Sequence, residues 1–185
     1  MKYLLALIFL CFTFAPTKTN RQLFDDFHTI FAKGDFVSMD TLLADVFFGL
    51  NESGRVSFRK PDYIEYMAGW NLAFNTKWNV VSVEEDGKFI KSIEYDTDIW
   101  NDYFYGGVKK TKYIYSFRND KITAIRTDTV PGTAEIETAA AVRFRKFYNW
   151  VSINFPAKLK TIDKRDKASA METKLIFENY LTANK

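Results

Sequence analysis

From Lys77 to Thr129 the chain alternates apolar and polar residues at a period of two, in segments separated by tight-turn dipeptides. That pattern belongs to strands, whose successive side chains point to opposite faces. Lys77–Glu84 is followed by Asp86-Gly87, a strong hairpin turn. A long strand over Lys88–Trp100 then leads to Gly106-Gly107, Lys110–Arg118, Asn119-Asp120 and Lys121–Thr129, and Pro131-Gly132 ends the run. Four strands joined by short turns are antiparallel by connectivity.

The flanking segments have a different period. Leu23, Phe24, Phe27, Ile30 and Phe31 fall on one stripe of a helix over Asn20–Lys33, with Asn20 as its cap and Gly34 at its end. Asp35–Ala44 reads as a second short helix, and Phe47–Leu50 and Val56–Phe58 as short strands on either side of a turn at residues 51–54. Pro61 suits the first turn of a third helix, Asp62–Asn71, whose apolar face carries Tyr63, Tyr66, Met67 and Trp70. After the strands, Thr133–Phe155 is helical through Val142, Phe147, Trp150, Val151 and Phe155, and Ala157–Lys185 adds one or two helices more. Helices first and strands later give an α+β domain with helices on one face of a bent sheet.

At 185 residues the chain is one domain with an extension. Met1-Lys2 and the apolar run Tyr3–Ala15 have the length of a signal-peptide core and are too short to span a bilayer. The division expected is a signal peptide over 1–19, the main domain over 20–133 and a helical extension over 134–185. The mature protein is then exported, periplasmic or extracellular, with no integral membrane segment. Leu10 before Cys11 is unlike the small residue that precedes a lipidated cysteine, and cleavage removes the chain's one cysteine. Disulfides and thiolate chemistry are thereby excluded from the mature chain. The net charge of +3 hides an asymmetry, −3 over residues 20–133 and +4 over residues 134–185, and that surplus in the tail is small. Its densest basic run, Lys158, Lys160, Lys164, Arg165 and Lys167, reads as a solvated helix face, so no nucleic-acid partner is expected. The 18 Phe, 10 Tyr and 4 Trp residues suit either a thick core under a curved sheet or an aromatic-lined cavity.

Several short motifs, in this order, resemble the nuclear transport factor 2-like superfamily and its SnoaL-like members. They are Phe31-Ala32-Lys33-Gly34-Asp35-Phe36, Leu42-Leu43-Ala44-Asp45, Gly69-Trp70, Trp100, Asp120-Lys121-Ile122 and Asp128. The resemblance covers roughly residues 20–131. It implies a cone-shaped bent antiparallel sheet packed by three helices, with an apolar cavity open at one end. The superfamily includes isomerases, cyclases, dehydratases, hydrolases and non-enzymatic binders, so fold alone assigns no activity. Ketosteroid isomerases use an Asp base, a Tyr and a protonated Asp. The corresponding positions here fall on Asn51, Phe27 and near Tyr113, so that route is lost.

Two readings remain. The first is a non-catalytic binder of a small apolar ligand or a protein partner. The second is a SnoaL-like enzyme using acid–base chemistry, for which Asp128 and His28 are the candidates. His28 is the sole histidine and sits at the edge of the first helix's apolar stripe. Trp70, Trp100, Tyr103, Tyr113 and Tyr115 are the expected ligand-binding side chains. Asp96, Asp98 and Asp102 are close in sequence and expected to face solvent. No metal and no cofactor are expected. The stripe through Val142, Phe147, Trp150 and Val151 is expected to cover the outer face of the sheet, where relatives dimerise, which favours a monomer over a homodimer.

Overall fold

The computed structural model of the chain describes residues 18–107, 109–162, 164 and 166–184. The signal peptide expected over 1–19, with Cys11, lies outside the described residues except for Lys18 and Thr19.

The first helix, α1 (Asn20–Lys33), is capped one residue earlier than expected. Thr19 accepts from the Gln22 backbone N–H, and the Gln22 side chain accepts in return from the Thr19 N–H. Gly34, at φ 68°, ends the helix in the left-handed conformation. Helix α2 (Phe36–Leu42) is shorter than expected, because Leu43 is already extended and opens strand β1 (Leu43–Leu50). Strand β2 (Val56–Arg59) leads into α3 (Lys60–Phe74), with Pro61 in its first turn. Strands β3 (Lys77–Asp86) and β4 (Phe89–Thr97) form a hairpin whose turn is one residue later than expected, at Gly87-Lys88, because Asp86 still pairs with Phe89.

The long strand expected over Lys88–Trp100 stops at Thr97. The Asp98 side chain accepts from the Asn101 backbone N–H and so caps a short helix, α4 (Ile99–Tyr105). Gly106, at φ 68°, is the C-cap of α4 rather than part of a hairpin turn. Strands β5 (Lys110–Arg118) and β6 (Lys121–Asp128) are joined through Asn119 and Asp120, both at positive φ as a two-residue hairpin turn requires.

The six strands form one sheet in the order β2-β1-β6-β5-β4-β3. All neighbours are antiparallel except β1 and β6, which run parallel. The protein is α+β, with a curved open sheet, N-terminal helices and a C-terminal helical part.

Two apolar clusters hold the molecule together. The first lies between α1, α2 and the inner face of the sheet, around Leu23, Phe24, Phe27, Met39, Phe47, Ile90, Tyr115 and Ile122. The second joins α3 and α4 to the tail helices α5 (Ala134–Asn154), α6 (Leu159–Ile162) and α7 (Lys167–Ala183). There Phe74, Trp100, Phe104, Phe147 and Phe177 pack on one another. Helix α3 therefore buries side chains on two fronts, Tyr63 in the first cluster and Ala73 and Phe74 in the second.

This placement corrects the expectation for the tail. Helices α5 and α7 pack on α4 and α3, not on the outer face of the sheet. The reason is that the turn expected at Gly106-Gly107 is preceded by a helix bearing Trp100 and Phe104, which needs cover of its own. Val142, expected to be covered, is 48% exposed, while Phe147 and Val151 are fully buried. The outer-face residues Val81 and Phe89 stay exposed, so the tail placement gives no support for a monomer. Among the described residues no helix is long and apolar enough to cross a membrane.

Candidate functional site

Where the two clusters meet, they leave a cavity of about 410 Å³. One side is built from the inner face of the sheet, through Trp78 on β3, Asp96 on β4, Tyr113 on β5 and Ile125 on β6. The opposite side comes from α3 and α4, through Tyr66, Met67, Trp70, Trp100 and Tyr105. The strand pairing explains the sheet side. Trp78 stands opposite Asp96 across β3 and β4, and Ser92 opposite Tyr113 across β4 and β5, so all four side chains point the same way.

Three carboxyls share that inner face of the chain at a spacing of two: Glu94, Asp96 and Asp98. The expectation that Asp96 and Asp98 face solvent is wrong. They have the same parity as Ile90 and Ser92, both buried, and the alternation carries them inward.

Two of the three are fully engaged. Asp98 accepts from the Thr76 hydroxyl at 2.7 Å and from the Asn101 side-chain amide at 2.9 Å, in addition to its cap bond. Glu94, with no solvent exposure, accepts from the Tyr115 hydroxyl at 3.0 Å and from the Ser92 hydroxyl, and faces His28 Nε2 at 3.2 Å. His28 Nδ1 is 2.9 Å from the carbonyl oxygen of Phe24. A carbonyl only accepts, so Nδ1 is the donor in that contact.

Asp96 is different. Among the described residues its carboxyl has no hydrogen-bond or ion-pair partner, and it lies on the cavity wall. Burial, followed by the charges of Asp98 and Glu94, raises its pKa to about 7. Burial likewise pushes the Tyr63 and Tyr113 hydroxyls well above the usual phenol range, with Asp96 and Glu94 adding to the shift, so both stay protonated as donors. The indole Nε1 of Trp78 is buried without a hydrogen-bond partner.

The structure distributes the residues singled out in the sequence as follows. Trp70, Trp100 and Tyr113 lie on the cavity wall. Tyr115 is fully buried beneath it, with its hydroxyl spent on Glu94. Tyr103 points away into the second cluster, where its hydroxyl meets that of Tyr180 at 2.9 Å. Neither acid–base candidate lines the cavity. Asp128 is at the end of β6, where the Thr129 backbone N–H and then Lys112, 3.4 Å away, hold its pKa below the usual carboxylate range. His28 is behind the wall, in contact with Phe24, Trp78 and Tyr115. The group sequence reasoning missed is Asp96, and the signal available was its parity with Ile90. Among the described residues no three His, Cys, Asp or Glu side chains are grouped to hold a metal ion.

No protein-family model and no curated protein matches the sequence. Solved structures do. A nuclear transport factor 2-like protein of unknown function from Cytophaga hutchinsonii superposes with a TM-score of 0.50 at 18% identity, covering 64% of this chain and 96% of that one. An uncharacterised cystatin-fold protein from Novosphingobium aromaticivorans gives 0.51 at 14% identity, over 60% of this chain and 97% of that one. A protein of unknown function with a cystatin-like fold from Methylobium petroleophilum gives 0.52 at 13% identity, over 64% and 85%. These likenesses establish the fold.

Proposed function

From a nuclear transport factor 2-like fold with a cavity between its sheet and its helices, we propose a binding protein for a small, largely apolar molecule that places one polar group against Asp96. The observation that carries this is the Asp96 carboxyl, which projects into a cavity of about 410 Å³ with no partner of its own. Asp96 is half-buried on the cavity wall, and a carboxylate held off bulk water without a protein partner is less stable than a solvated one, a cost that a bound polar group would offset. The volume is within the range of small-molecule sites, roughly 300–1,000 Å³. The walls favour an apolar body: Phe58, Tyr66, Trp70, Trp78 and Trp100 supply ring surface. The apolar run Tyr3–Ala15 supports an exported protein that binds its ligand in the periplasm or outside the cell.

A second reading rests on the same side chain. A carboxyl held at about 7 can give or take a proton at neutral pH, so any acid–base activity in this cavity falls to Asp96 and not to Asp128 or His28.

The test is ligand capture. Protein recovered from its native host is analysed by mass spectrometry before and after denaturation, and a panel of small aromatic compounds is screened by thermal shift. A molecule released on denaturation, or a panel member that raises Tm, is expected. Met67→Trp, which fills the cavity from α3, should abolish either signal. Binding that survives Met67→Trp refers the ligand to another surface and ends the proposal.

A further inference from the structure

We infer that the polar group selected by this cavity is a cationic amine, held by the Asp96 carboxylate and the faces of the surrounding aromatic rings. The inference rests on the binding function proposed above and names its ligand class.

The charge balance of the wall is the first argument. Among the described residues Asp96 is the one acid that lines the cavity, and no Lys, Arg or His lines it. The two acids two residues to either side of Asp96, Glu94 on β4 and Asp98 at the cap of α4, keep their own partners. The nearest histidine, His28, is committed to Glu94 and the Phe24 carbonyl. From the other elements packed around Asp96, the titratable groups are the phenols Tyr63 and Tyr66 on α3, Tyr105 on α4 and Tyr113 on β5, none of them a cation. Trp78, across on β3, does not titrate. An anionic ligand would meet Asp96 with no described side chain on the wall to neutralise either charge.

The rings supply the second argument. An ammonium group is attracted to the faces of Trp and Tyr, most strongly where water is excluded. Trp70, Trp78, Trp100 and Tyr113 line the same cavity as the carboxyl, Trp78 standing directly opposite Asp96 across β3 and β4. A neutral hydroxyl donor would bond Asp96 but gain nothing from those faces. Only a cation uses the carboxylate and the rings together. The raised pKa of Asp96 agrees with this, since burial and the charges of Asp98 and Glu94 favour a positive charge beside it.

Benzyltrimethylammonium and neopentylbenzene have the same shape and differ in one charge, and the quaternary nitrogen stays charged at every pH. Titration calorimetry on the full mature chain should give at least tenfold tighter binding of the cation at pH 8. The preference should shrink toward parity at pH 5.5, where Asp96 is protonated. At pH 7 binding of the cation should release a fraction of a proton, read from the buffer dependence of the heat. Asp96→Asn should reduce the preference to within threefold at both pH values. If neopentylbenzene binds as tightly as the cation at pH 8, or Asp96→Asn leaves the preference intact, the amine is wrong while the binding cavity stands. If neither probe binds and no compound raises Tm, the binding proposal falls with it.

Discussion

His28 on α1 and Glu94 on β4 meet at 3.2 Å inside the protein, although 66 residues separate them. The contact ties the first helix to the middle of the sheet, and Glu94 gathers Tyr115 and Ser92 into the same network. Removing one member of a buried charged network leaves its partners unsatisfied, which costs about 3–5 kcal/mol. Glu94→Ala should therefore lower the urea-unfolding free energy by about that much. Glu94→Gln, which still accepts from Tyr115, should cost less than half of it. Equal losses from the two variants would show that volume, not hydrogen bonding, is what Glu94 supplies.

Asp96 should make stability fall as pH rises. Its folded pKa, about 7, is above the value of 3.8 expected in the unfolded chain, so between those limits the folded state binds the extra proton. The destabilisation is complete above pH 7 and is relieved as pH falls toward 4. Asp96→Asn removes it, and at pH 8 should stabilise the protein by on the order of 2 kcal/mol. The check is the difference in unfolding free energy between wild type and variant at pH 5 and pH 8. A difference that stays constant, or grows at the acid end, refutes the assignment.

Gly69 brings α3 against the start of α7. A Cβ at this position would be 2.7 Å from Lys167 Cα, a backbone atom with no means of swinging aside. Gly69→Ala should cost about 1–3 kcal/mol, against the slight gain that alanine usually brings inside a helix. Thermal melts of Gly69→Ala beside Ala68→Gly separate the two effects. A stabilised Gly69→Ala would mean that the two helices do not approach this closely.

The hairpins were legible because their chemistry is local. Gly87, Asn119 and Asp120 sit at positive φ, and the residues that tolerate it announce the turn. The stripe of α1 was legible for the same kind of reason. Helix α4 was hidden because Ile99 and Trp100 prolong the alternation of β4, and the single sign against it was Asp98 placed to cap. Of the expected ligand-binding residues, Trp70, Trp100 and Tyr113 lie on the cavity wall, whereas Tyr103 and Tyr115 do not, because each hydroxyl has a partner far along the chain, at Tyr180 and Glu94. Asp96 was passed over on the rule that acids face water. The parity of the strand, set by Ile90 and Ser92, outweighed that rule, since a one-residue shift would have exposed every apolar side chain on the face.

The tail helices should unfold with the sheet, not before it. Phe177 on α7 has no solvent exposure and touches Trp100, Tyr103, Phe104 and Phe147, so it belongs as much to α4 as to its own helix. Helix α3 continues the same packing into the first cluster through Tyr63. A cut between the tail and the rest would open the whole second cluster and bare Phe74, Trp100 and Phe104 to water. Phe177→Ala should therefore cost about 3–5 kcal/mol and shift the entire urea transition. Far-ultraviolet circular dichroism, which reports all helices, and fluorescence of Trp78, isolated by replacing the other tryptophans with Phe, should move together. If the helical signal is lost at lower urea than the Trp78 signal, the tail is a separate unit, and deleting residues 134–185 should then leave a folded sheet rather than the aggregate expected from exposing this cluster.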